Sequence, residues 1–74
     1  MDKLFQEKVG ARITELRKEK NLSQQKLAFD ASIERSHLTH IEKGKKNISL
    51  STLEKITKAL ETPINVFFNT TDFK

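Results

Sequence analysis

Seventy-four residues without a cysteine, 35% apolar and 32% charged, describe one small domain and exclude a disulfide scaffold or a thiolate metal centre. Fourteen Lys and Arg against ten Asp and Glu leave a net charge of +4, which suits a polyanionic partner without requiring one. No apolar run approaches the roughly 20 residues of a membrane span, and the start MDKLFQEKVG lacks the hydrophobic stretch of a secretory signal, so no membrane association is expected.

Taken in order, the chain first shows Leu4, Phe5, Val9, Ile13 and Leu16 recurring every three or four residues after the first pair. That spacing predicts a helix over about 3–21, with Gln, Glu, Lys and Arg on its other face. Gly10 lies inside the pattern, where it weakens the helix slightly and allows close packing. Asn21 is a stop signal, and Leu22 turns back toward the core. Ser23 then suits an N-cap, although Lys26 stands where a full capping box would have Glu or Gln. The second helix runs from about Ser23 to Ala31 with Leu27, Ala28 and Ala31 on one face. Ser32 and Ile33 form a short junction to a third, from about Arg35 to Lys43, with Leu38 and Ile41 inward. At about 100° per residue, Arg35, Ser36, Thr39, His40 and Lys43 share the opposite sector. All five carry charge or can hydrogen-bond. Two short helices joined by a sharp turn, the second with an apolar back and a polar front, are the pattern of a helix-turn-helix that offers one helix to base edges.

Beyond Gly44, Lys45, Lys46 and Asn47 form a loop, and Ser49 caps a fourth helix with Leu50, Leu53, Ile56, Ala59 and Leu60 expected inward. Pro63 disfavours a helical conformation at Thr62 and opens a fifth helix, PINVFFN. The tail from 69 to 74 has no periodicity and is expected to fray. With no strand signal, repeat or linker, the expectation is a single all-α domain over 1–74, a compact five-helix bundle around Val9, Ile13, Leu16, Leu27, Leu38, Ile41, Leu53, Ile56 and Leu60. No separate sensory or catalytic domain is expected. His37 and His40, with Glu42 nearby, fall on different sides of the third helix, so neither a metal site, a cofactor nor an enzyme activity is assigned. Phe67 and Phe68 lie about 100° apart and cannot both face the core. One is expected inward; the other, with Ile64 or Val66, forms an exposed apolar patch of the kind that marks a partner surface.

The runs L-S-Q-x-x-L-A (22–28), I-E-x-G (41–44) and S-L-x-T-L-x-K-I-x-K-A-L (49–60) resemble the phage repressor and Cro class of helix-turn-helix domains, often called XRE-type. The resemblance covers about 12–68 and implies a lambda-repressor-like DNA-binding bundle. Short length, the Glu34-Arg35-Ser36 start of the third helix and the P-x-x-x-F-F ending (63–68) are most similar to the controller proteins of bacterial restriction–modification systems. That resemblance implies a set of roles. The chain would be a cytoplasmic bacterial regulator of its own operon, nucleoid-associated when bound, and a homodimer on a palindromic operator in double-stranded DNA, with no small-molecule ligand. Arg35 and Ser36 would be the main base readers, Arg35 reaching guanine O6 and N7, with Thr39 and His40 one turn further along. Gln24, Lys43, Lys46, Asn47 and Ser49 would hold phosphates. Ile64, Val66, Phe67 and Phe68 would supply the dimer interface, and Arg17 and Glu42 an internal salt bridge. Family members also recruit the RNA polymerase sigma subunit through acidic groups near the motif, where this chain has only Asp30 and Glu34. An antitoxin or small prophage repressor would share the scaffold; a protein-interaction module without DNA binding is the reading from another class.

Overall fold

The computed structural model describes residues 2–74. Its elements are α1 (Lys3–Glu19), α2 (Gln24–Asp30), α3 (Arg35–Glu42), α4 (Leu50–Ala59), α5 (Ile64–Phe67) and a short 3-10 turn (Thr71–Phe73), with no strand among the described residues. None of the helices described is long and apolar enough to cross a membrane.

Local chemistry accounts for the starts of α1, α2 and α4 and for the ends of α1 to α4. The Asp2 side chain accepts the Phe5 N–H at 3.1 Å, and the Ser23 and Ser49 hydroxyls accept those of Lys26 and Thr52 at 3.0 Å. Each such cap stabilises by about 1 kcal/mol. The first four helices then stop in the same way. Asn21, Ser32, Gly44 and Glu61 take left-handed φ values of 58°, 57°, 72° and 51°. The N–H after each bonds back into the last turn, from Leu22 to Arg17, Ile33 to Ala28, Lys45 to His40 and Thr62 to Thr57, all at 3.0 Å. With the N–H groups of Asn21, Ser32, Gly44 and Glu61 themselves bonded to the carbonyls of Lys18, Phe29, Ile41 and Lys58, this stop reverses the chain within a few residues and keeps every connection short. Asn21 is thus the expected stop, whereas Ser32 and Glu61 hold a conformation that costs a side-chain-bearing residue about 1 kcal/mol.

The core contains all nine of the residues expected there, joined by Ala28, Ala31 and Phe67. Two helix crossings are tight. At Gly10, an added Cβ would run into the Ile41 carbonyl oxygen and lie 2.8 Å from that of Glu42. The close approach that its glycine allows therefore seats the end of α3 directly on α1. At Gly44 a Cβ would meet the Glu7 Cγ at 2.7 Å, and the Gln6 amide donates to the Gly44 carbonyl at 3.2 Å.

Three expectations need correction. Leu50 is 86% exposed, because it stands at the first position of α4, nearly a quarter turn from the direction shared by Leu53, Ile56 and Leu60. Phe67 is fully buried and unavailable to a partner. The Arg12 guanidinium clamps its carbonyl at 2.7 Å and that of Val66 at 3.0 Å, orienting α5 so that Phe67 points inward. The tail is docked rather than frayed. Phe73 packs edge-on against Phe68 and Phe5, with ring centroids 4.9 and 5.8 Å apart. Phe67 and Phe68 meet at 4.8 Å, completing an aromatic cluster between the two ends of the chain.

Candidate nucleic-acid interface

Helix α3 is held from behind by Leu38 and Ile41, both in the core, and at its end by Glu42. The Arg17 guanidinium of α1 grips the Glu42 carboxylate through two bonds, Nε to Oε2 at 2.8 Å and Nη2 to Oε1 at 3.1 Å. Its remaining nitrogen donates to the Leu22 carbonyl at 2.8 Å, beside the α1–α2 turn. The Gln24 amide of α2 donates to the same carboxylate at 3.0 Å. Its carbonyl oxygen lies 3.1 Å from the Thr39 hydroxyl, which also reaches the Arg35 carbonyl at 3.0 Å. One buried carboxylate, its side chain only 5% exposed, thereby ties three helices at a fixed angle. The Arg17–Glu42 pair implied by the family resemblance is present. A half-lost pair of this kind would leave an uncompensated buried charge.

The front of α3 is open. Arg35, Ser36, His40 and Lys43 are exposed, and Glu34 lies exposed at its leading edge. No side-chain hydrogen bond or ion pair holds the Arg35 guanidinium among the described residues. Its donors face solvent in the planar geometry that suits guanine or a phosphate. Thr39 is half-buried and turned toward Gln24, so it borders this surface rather than standing at its centre. Beyond α3, Lys43, Lys46 and Asn47 are exposed beside the face, in the cap position and the α3–α4 loop.

Two of the side chains expected to contact phosphates, Gln24 and Ser49, are already engaged within the molecule. Gln24 is half-buried, with its carbonyl and one amide N–H engaged inside, which leaves a single amide N–H without a partner among the described residues. The Ser49 hydroxyl accepts the Thr52 N–H and lies 3.0 Å from the Thr52 hydroxyl, so its work in this structure is capping. Periodicity places both residues at helix starts but is blind to which way a polar side chain turns. Asp30, one of the two acidic groups near the motif, pairs with Lys26 at 3.1 Å. His37 is half-buried and His40 exposed, and no grouping of metal-ligating side chains occurs among the described residues.

A second feature lies away from α3. An apolar groove of about 810 Å³ runs between α1, α4 and α5, lined by Phe5, Leu50, Leu53, Ile64 and Phe68 among others. Ile64 and Phe68 thus line this open groove, and Val66 is exposed two residues from each. Leu50 and Phe5 join them in place of Phe67. The edge position of Leu50 on the helical stripe is the sequence signal for its exposure.

A model of the helix-turn-helix family matches residues 13–67. The control protein C.BamHI of Bacillus amyloliquefaciens is 44% identical over 52 residues, covering 69% of this chain and 64% of that protein, just under two thirds of its length. The control protein C.MunI of a Mycoplasma is 39% identical over 61 residues, covering 81% of this chain and 82% of that one. Among solved structures, the restriction–modification controller protein C.AhdI from Aeromonas hydrophila superposes with a TM-score of 0.82 at 38% identity, over 85% of this chain and 96% of its own.

Proposed function

Because the chain belongs to the helix-turn-helix family, we propose that it is a sequence-specific DNA-binding regulator of transcription, a controller protein of a restriction–modification system acting on its own operon. The observation that carries this reading is the state of α3. Its back and end are locked by Leu38, Ile41 and the Arg17–Glu42–Gln24 network, while the side chains of Arg35, Ser36 and His40 are exposed and have no hydrogen-bond or ion-pair partner among the described residues. A rigid helix with a free polar front is what entry into a major groove requires. In this reading Arg35 and Ser36 contact base edges, with His40 one turn along and Thr39 at the margin. Lys43, Lys46 and Asn47 hold flanking phosphates, joined by the free Gln24 N–H and the start of α4 at Ser49.

The active form in this proposal is a homodimer. The groove between α1, α4 and α5, with exposed Leu50, Ile64 and Val66 beside it, is a large apolar surface for so small a domain. Paired about a two-fold axis, two molecules of 30 × 22 × 20 Å have the dimensions to set their α3 helices about 34 Å apart, one turn of DNA. Selection of bound fragments from random duplex DNA tests the whole reading. Enrichment of an inverted repeat with a guanine in each half-site is the expected result; a pool that stays random at low salt would refute it.

A further inference from the structure

Helices α1, α2 and α4 each begin on a side chain that closes the helix end: Asp2, Ser23 and Ser49 accept an N–H three residues on, at 3.0–3.1 Å. Helix α3 does not. It starts on Glu34, which has the extended backbone of a cap residue (φ −73°, ψ 143°) but makes no capping bond. Glutamate is a weak choice at this position, where Ser, Thr, Asp and Asn are preferred. Glu34 is exposed, and among the described residues its carboxylate has neither a hydrogen-bond nor an ion-pair partner. The next residue is Arg35, equally free. Of the five α-helix starts described, three are capped by a side chain, and α5 begins on Pro63, whose ring has no group to accept a hydrogen bond. Glu34 is thus the one polar cap-position side chain among them left unused, and its place at the leading edge of the exposed face marks a group with work outside the molecule.

We propose that Glu34 is a second base reader, its carboxylate accepting a hydrogen bond from the N4 amino group of a cytosine adjacent to the guanine read by Arg35. The inference rests on α3 being the helix that enters the major groove. An ionised carboxylate can only accept. In that groove guanine and thymine present it with acceptor oxygens, and adenine flanks its amino group with the N7 acceptor, so cytosine is the base it matches. Phosphates repel it. Glu34 therefore favours one base and weakens binding wherever that base is missing, a combination that a neutral cap could not provide.

The test compares the full-length protein with Glu34→Ser, by competition binding to the selected operator and to variants carrying each base beside the Arg35 guanine. The wild type is expected to prefer cytosine by about five- to hundredfold. Glu34→Ser should lose that preference, bind the non-cognate variants more tightly than the wild type does, and retain the guanine preference of Arg35. It should also melt a few degrees higher, because serine restores the missing cap. If Glu34→Ser keeps the cytosine preference, or gains affinity equally on every variant, the proposal is overturned. Arg35→Ala, run alongside, separates the two readings: should it too leave every base preference unchanged, the reading of α3 itself fails.

Discussion

Replacing Gly10 by alanine opposes two effects that can be weighed from the structure. In an exposed helix interior, Gly→Ala stabilises by about 1 kcal/mol, because alanine loses less backbone entropy. Here the new methyl group would run into the Ile41 carbonyl oxygen and lie 2.8 Å from that of Glu42. Both obstacles are backbone atoms of α3, whose end is also tied to Arg17 and Gln24, so neither can swing aside as a flexible side chain would. Overpacking of a tight contact costs about 1–3 kcal/mol, and a backbone obstacle belongs at the upper end of that range. The net expectation is a loss of about 1–2 kcal/mol. In a domain of this size that lowers the melting temperature by roughly 4–8 °C per kcal/mol. Thermal unfolding followed by circular dichroism, wild type beside variant, provides the assay. Any relaxation must move α3 away from α1, so DNA affinity should also fall at a temperature where the variant is still folded. A melting temperature equal to or above wild type would refute the argument, since helix propensity alone would then have decided the outcome.

Three further outcomes are expected. Glu42→Ala should destabilise by about 3–5 kcal/mol in urea unfolding, because it strands the Arg17 guanidinium and frees Gln24 together; a loss below about 1 kcal/mol would show that the three-helix tie contributes little. Lys46→Ala should weaken binding to all duplexes alike and flatten the log–log salt dependence by about one unit, whereas an unchanged slope would place Lys46 away from phosphates. Leu50→Glu should leave the fold intact, since the side chain is exposed, but abolish dimers in sedimentation equilibrium; a variant that still dimerises would move the interface elsewhere.

Much of this architecture is legible in the sequence because it arises from local rules. The three- and four-residue spacing of Val9, Ile13 and Leu16 defines the buried stripe of α1, and Asn21 and Ser23 mark a stop and a start by chemistry confined to one turn. Phe67 and Phe68 show where such rules run out. Their angular separation requires that they differ in burial, yet which one turns inward depends on Arg12, more than fifty residues away, clamping the carbonyls of α5. Phe73 escapes notice for the same reason: its partners, Phe5 and Phe68, come together only in three dimensions. The polar face of α3 is visible as a sector, but the inward turn of Gln24 toward Glu42 is not, since helical position says nothing about which neighbour an amide selects. Glu34 is readable as an acidic residue at a helix start; its significance emerges only beside the three starts that are capped.

The most direct trial of the central claim is the affinity of Arg35→Ala across a set of operator variants, each altered at one half-site position. A base-reading arginine predicts a loss of about 1–3 kcal/mol on the native operator that vanishes on variants already lacking its guanine, so that preference relaxes at that position alone. A loss of the same size on every variant would contradict the account, for it would make Arg35 a phosphate contact and remove α3 from the reading of sequence.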